Sequence, residues 1–246
     1  MGTPPLTTDS HPRRVVTTHD GSRTLQLGET DVTWRSTSGA ASESRAVFLE
    51  NSGMDQPRLP DGRTDRAVLE IGFGTGLNFL LTADRFATLG SGRLEYHACD
   101  MALVPPRVLN QLAYRSLLDQ PELYDQLTRI LSRRSALAAG RIEAPFPGNT
   151  RLVLRLGDAR RLPLTAGRFD AVYLDPFAPD VNPQLWELPF LRQLYASLRP
   201  GGRLVSYCVK RMVRDRLQQC GFRVRTVPGP PGGKREVLRA GVDRAG

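Results

Sequence analysis

Residues 67 to 81 read Ala67-Val68-Leu69-Glu70-Ile71-Gly72-Phe73-Gly74-Thr75-Gly76-Leu77-Asn78-Phe79-Leu80-Leu81. Ala67 to Ile71 is an apolar run of strand length. Leu77 to Leu89 carries helical apolar spacing through Leu77, Leu80, Leu81 and Phe86. A strand, a glycine loop and a helix in that order open a doubly wound nucleotide-binding sheet. The glycines let the backbone turn sharply and come close to a ligand. Their spacing is GxGxG, with Glu70 two residues ahead of the first. The dinucleotide fingerprint is GxGxxG, so a nicotinamide enzyme fits poorly. The bland alternative is a bare tight turn.

Outward from this unit, strands and helices alternate. Leu94 to Cys99 reads as a second strand ending at Asp100, and residues 105 to 138 as helical with a break near Pro121. Leu152 to Leu156 and Phe169 to Leu174 are the third and fourth strands. Gln184 to Leu198 is helical and is expected to stop at Pro200-Gly201-Gly202. Leu204 to Cys208 is the fifth strand and Met212 to Cys220 a helix. Phe222 to Val227 and Arg235 to Arg239 form a closing antiparallel pair. This predicts an α/β fold, a mostly parallel seven-stranded sheet with helices on both faces. Residues 1–18 are expected to be a disordered leader. Residues 19–66 read as a small N-terminal β-rich extension, with Thr24-Leu25-Gln26-Leu27 and Val32-Thr33-Trp34 alternating, followed by a Pro/Gly/Asp-rich linker from residue 51. Residues 67–242 are the main domain.

The 246 residues are long enough for a sizeable core, and 40% apolar with 24% charged composition excludes a disordered chain. No apolar run approaches the ~18 residues that span a bilayer. The cysteines Cys99, Cys208 and Cys220 form no CxxC pair, and His11, His19 and His97 form no cluster. No metal is expected, and the location expected is cytoplasmic. The formal net charge is +9, unevenly placed. Residues 1–128 hold 12 Lys+Arg against 16 Asp+Glu, and residues 129–246 hold 22 against 9. A basic half suits a polyanion such as RNA; a solvated basic face is the alternative.

Acidic residues close the second and third strands too. Asp100 can accept ribose hydroxyls, as in other doubly wound sites, or cap a helix. Asp158, in Gly157-Asp158-Ala159, is a ligand contact or a turn cap. Asp175 ends the fourth strand in Leu174-Asp175-Pro176-Phe177-Ala178-Pro179, ahead of Asn182-Pro183 and Trp186. A carboxylate there can hold an amine and take or relay its proton, while Phe177 and the prolines exclude water.

The glycine loop with its acidic lead resembles that of Rossmann-like class I methyltransferases. The string from Asp170 to Pro179 with Asn182-Pro183 and Trp186 is similar to a narrower family, the tRNA 5-methylaminomethyl-2-thiouridine methyltransferases. Asp20-Gly21-Ser22, Ser44-Arg45-Ala46-Val47-Phe48-Leu49, Glu70 to Asn78 and Gly232-Gly233-Lys234-Arg235-Glu236 match in order. Trp34-Arg35 stands where many members have Tyr-His, and Pro176 where many have glycine. The resemblance implies S-adenosylmethionine as methyl donor, held by Glu70, Gly72, Gly74, Gly76, Asn78, Asp100, Asp158 and Ala159. It implies Asp175 as the catalytic residue, with Phe177, Asn182, Lys234 and Arg235 on the substrate side. The acceptor implied is the aminomethyl nitrogen of a modified wobble uridine in the tRNA anticodon loop. Bifunctional members carry a flavin-dependent oxidase domain that this chain is expected to lack. No flavin is therefore expected, and a separate oxidase would supply the substrate. Competing readings are another amine or RNA base as acceptor, and a non-catalytic RNA-binding scaffold.

Overall fold

Every residue of Arg66–Ile71 (β3) is buried, as expected for the central strand of a two-sided sheet. In this computed structural model, residues 13–28, 32–132 and 140–243 are described. β3 pairs in parallel with Leu94–Asp100 (β4) and Phe169–Leu174 (β7). Thr150–Leu156 (β6) lies parallel to β4, and Leu198–Ser206 (β8) parallel to β7. Glu236–Gly241 (β10) then runs antiparallel to β8 and to Arg223–Pro228 (β9). These strands stand in the order β6-β4-β3-β7-β8-β10-β9. The crossovers use Leu77–Leu89 (α2), Pro106–Leu112 (α3), Glu122–Leu131 (α4), Leu188–Ser197 (α5) and Arg211–Gln219 (α6).

Alternation along the strands builds two cores. Val68 and Tyr173 face one side with Phe48, Phe79, Leu80 and Leu127; Leu69, Ile71, Val172 and Leu174 face the other with Trp186, Leu191 and Leu217. Among the described residues no helix is long and apolar enough to cross a membrane.

Five expectations change. The sheet has an eighth strand, Arg141–Phe146 (β5), antiparallel to β6 at the edge, where Pro145 is tolerated. Pro200-Gly201-Gly202 does not end a helix. α5 stops at Ser197, and β8 runs through these residues with a register shift against β7. Part of the expected leader is a strand, because Arg13–Thr17 (β1) pairs antiparallel with Arg23–Leu27 (β2). Residues 1–12 lie outside the described residues, as do residues 133–138 of the expected helical stretch. The extension is only partly β: Ala40–Glu43 (α1) runs into a π-helical segment, Ser44–Glu50. The expected linker is packed, with Met54 and Leu59 buried.

Asp170 pins the end of the sheet away from the glycine loop. Its carboxylate accepts from the Ala67 N–H at 2.8 Å, Arg63 at 2.6 Å and Arg199 at 2.9 Å. The two arginines are partly exposed, which limits the Coulombic share. Asp170→Asn is expected to lower stability by about 2 kcal/mol, chiefly through weakened bonds to this buried group. Urea unfolding midpoints check this, with S-adenosylmethionine affinity unchanged.

Candidate active site

The carboxyl ends of β4, β3 and β7 are stitched together by backbone bonds. The Gly72 N–H donates to the Cys99 carbonyl and the Asp175 N–H to the Ile71 carbonyl, both at 2.9 Å. A Cβ on Gly72, whose φ is +92°, would lie 2.6 Å from the Asp175 carbonyl oxygen. Glycine is therefore required where the two chains cross. The Gly74 N–H donates to Asp100 Oδ2 at 2.7 Å, so Asp100 clips the loop from the neighbouring strand. Burial raises the Asp100 pKa, and the bonds from backbone N–H groups oppose this.

Beneath the loop runs a chain of buried polar groups. Asn78, in the first turn of α2, donates from Nδ2 to Glu70 Oε1 at 2.7 Å and to Asp175 Oδ2 at 3.0 Å. The Tyr96 hydroxyl donates to Glu70 Oε2 at 2.9 Å. Arg35, from the extension, pairs with Asp175 Oδ2, and each side chain is 7% exposed. Burial and the Asp175 charge push Glu70 up to about 8. Burial also pushes Asp175 up, to about 7, while Arg35 opposes the shift. Burial works against the Arg35 charge, but Asp175, Glu43 and Glu70 outweigh it and raise its pKa.

The extension also roofs the loop. Trp34 stands edge-on to Phe177 with ring centroids 5.9 Å apart, and its ring lies 3.5 Å from where a Gly74 Cβ would be. On the other side, the Tyr207 hydroxyl donates to the Pro176 carbonyl at 2.8 Å. The Lys234 ammonium lies 4.1 Å from the Tyr207 ring centroid.

The structure therefore gathers Glu70, Gly72, Gly74, Gly76, Asn78, Asp100, Asp175 and Phe177 at one end of the sheet. Glu70 is fully buried, and both its oxygens are bonded within the protein, by Asn78 and Tyr96. Asp158 sits one strand beyond Asp100, but its carboxylate caps a short turn and is bonded by Arg160 at 2.6 Å. That hydrogen bond from Arg160 lowers its pKa. The neighbouring Ala159 is buried. Asn182 opens the turn Pro183–Trp186, its N–H donating to the Ala178 carbonyl at 3.0 Å. Lys234 reaches the Asp175-Pro176 turn through Tyr207, while Arg235 is exposed in the β9–β10 turn. Sequence reasoning passed over Trp34, Arg35, Tyr96 and Tyr207 as site residues. Trp34 and Arg35 stood out only as departures from a motif.

The site fits S-adenosylmethionine on its own features. Among the described residues Asn78 Oδ1 is buried without a hydrogen-bond partner, a ready acceptor for an ammonium N–H. The glycine loop is a cradle that side chains would fill, and Asp100 stands beside it. When bound, the cofactor supplies a methyl group already activated on a sulfonium.

Fold and site define a methyltransferase of this cofactor class. Residues 121–243, half of the chain, match the family described as S-adenosyl-L-methionine-dependent methyltransferase, and the chain belongs to that family. More particularly, it is 34% identical over 209 residues, 84% of its length, to the tRNA 5-methylaminomethyl-2-thiouridine biosynthesis bifunctional protein MnmC of Polaromonas naphthalenivorans. It is 36% identical over 211 residues, 82% of its length, to MnmC of Paracidovorax citrulli. The match covers 32% of each relative, so the chain spans about a third of the curated relatives it matches. The crystal structure of MnmC2 from Aquifex aeolicus superposes with a TM-score of 0.74 at 25% identity, covering 97% of this chain and 73% of that one. A spermidine synthase, at 13% identity and a TM-score of 0.54 over 95% of this chain and 71% of that one, shares the fold. S-adenosylmethionine is the methyl donor.

Two outcomes follow from the geometry. Gly74→Val drives branched carbons into the Trp34 ring at a positive φ. It is expected to weaken S-adenosylmethionine binding at least tenfold by calorimetry. Glu70 has a folded-state pKa raised from 4.5 to about 8, so its contribution to stability is fully present below pH 4.5 and is lost as pH rises through 8. Glu70→Gln should flatten that part of the stability profile, read as urea midpoints between pH 5 and 9.

Proposed function

We propose that this chain methylates the aminomethyl nitrogen of a modified wobble uridine in tRNA. The observation that carries the reading is Asp175. It is a buried carboxylate at the end of β7, held by Asn78 and Arg35 beneath the glycine loop. An amine needs a free lone pair to attack, and a fixed carboxylate can orient its N–H and take or relay the proton that must leave. The protein's remaining task is alignment. Trp34 and Phe177 wall the approach, and Tyr207 fixes the Pro176 carbonyl and with it the catalytic turn.

The likeness to MnmC over most of the chain supports tRNA as the acceptor's carrier. So does charge: eleven Lys+Arg lie between Arg199 and Arg239, against Asp215 and Glu236. An anticodon loop presents its base at little cost, because loop bases are already free of a duplex. Phe177, Asn182, Lys234 and Arg235 lie on the substrate side in this reading, and Asp158 and Ala159 border the adenine end.

The test is methyl transfer to aminomethyl-bearing tRNA under single-turnover conditions. Asp175→Ala is expected to keep S-adenosylmethionine affinity and to lose about 10²- to 10⁴-fold in rate. Equal rates would remove Asp175 from the chemistry. For the wild type, apparent tRNA affinity should fall steeply between 50 and 200 mM salt. A flat salt profile would point to a small amine instead.

A further inference from the structure

Arg35 places a fixed cation inside a site whose acceptor, free in solution, is itself a cation. It is not a mobile surface side chain. Its backbone N–H donates to Thr24 Oγ1 at 3.1 Å, its carbonyl accepts from Thr33 Oγ1 at 2.7 Å, and the neighbouring Trp34 N–H donates to the Leu25 carbonyl at 2.8 Å. Its guanidinium lies 5.3 Å from the Phe48 ring centroid. From this anchored position it pairs with Asp175 Oδ2, the oxygen that Asn78 also bonds. Both of these contacts fall on Oδ2, and Oδ1 is the oxygen given below to the acceptor nitrogen.

The charged and titratable groups around this pair come from every packed element. Glu43 of α1 bonds the Ser36 N–H at 3.0 Å. Glu70 of β3 is bonded by Asn78 and Tyr96. Tyr114, before α4, bonds Thr75 at 2.9 Å, and Tyr207, after β8, bonds the Pro176 carbonyl. Against this background the Asp175 charge is already compensated by Arg35. An arriving ammonium would set a second positive charge on the same carboxylate, where little water can screen it. A neutral amine meets no such opposition. It can donate one N–H to Oδ1 and keep its lone pair for attack.

On the reading that the acceptor is an amine, we propose that Arg35 is a positioning residue that makes the site receive this amine as the free base and not as the ammonium. The nitrogen lone pair then forms the new N–C bond while the C–S bond breaks and its electron pair leaves with sulfur. The positive charge passes from sulfur to nitrogen, and the product ammonium loses a proton through Asp175 Oδ1 to solvent. Arg35 acts on that product as on the substrate, favouring loss of the proton.

Removing Arg35 acts twice in one direction. Asp175 loses the cation that keeps it ionised, and the bound amine loses the cation that keeps it unprotonated. Both changes move the rising limb of the rate to higher pH. The test is the pH profile of single-turnover transfer in the wild type, Arg35→Gln and Arg35→Lys. The limb should move up by about one pH unit or more in Arg35→Gln, about tenfold in rate at pH 7. Arg35→Lys, which keeps the charge, should bring it back towards the wild type. A merely structural role would lower the rate without moving the limb.

A second readout needs no turnover and no variant. Aminomethyl tRNA is bound to the wild-type enzyme with S-adenosylhomocysteine at pH 7, in buffers of different ionisation enthalpy, with tRNA lacking the aminomethyl group as reference. About one additional proton should be released per acceptor bound. No release, or an unmoved limb in an active Arg35→Gln enzyme, would overturn the inference. A wild type inactive on tRNA but active on a small amine would overturn the functional reading alone, because the same profiles and proton release are then read with that amine.

Discussion

A buried carboxylate cannot stay ionised without a partner, and Asp175 has its partner in Arg35, 140 residues earlier in the chain. Much of the arrangement around the site answers that requirement. Asn78 shares Asp175 Oδ2 and links it to Glu70, and Tyr96 satisfies the second Glu70 oxygen. The Asp175 backbone crosses so near β3 that position 72 has to be glycine. The same pairing brings the N-terminal extension over the cofactor loop, with Trp34 next to Gly74 and Phe177. The extension is thus part of the site, tied to it by a charge pair whose desolvation is offset by several bonds at once.

Local pattern reveals local structure, and the sheet shows how far that goes. Leu77–Leu89 and Phe169–Leu174 have the ends that their apolar spacing predicts, since each signal lies wholly inside its element. β5 was hidden because an edge strand with proline and two exposed charged residues has little apolar signal of its own. β8 was misplaced at its start because Pro-Gly-Gly usually ends helices, whereas here the sheet absorbs it as an irregularity in pairing. The site divides in the same way. The glycine loop, Asp100 and Asp175 lie at strand ends and are readable in one dimension. Arg35 and Tyr207 reach the site through tertiary packing, which spacing does not encode. Asp158 is the reverse case: its position at a strand end suggested a ligand contact, and the structure also gives it a cap and a partner in Arg160.

These features make one account of function. The chain is an S-adenosylmethionine-dependent methyltransferase, and the glycine-loop end of its sheet joins an ion-paired carboxylate, an aromatic roof and a lysine held over Tyr207. Such a site suits a nitrogen nucleophile on an acidic carrier. In the proposed reading the carboxylate handles the N–H, and the basic C-terminal half, which contributes Lys234, offers charge to phosphates.

The most direct measurement is the identity of the nucleoside that gains the methyl group. Bulk tRNA from cells lacking this protein is incubated with the enzyme and labelled S-adenosylmethionine, digested to nucleosides and separated by mass. The account predicts label in a methylaminomethyl uridine. Label in a different nucleoside, or none in tRNA from an enzyme shown to bind the cofactor, would contradict it.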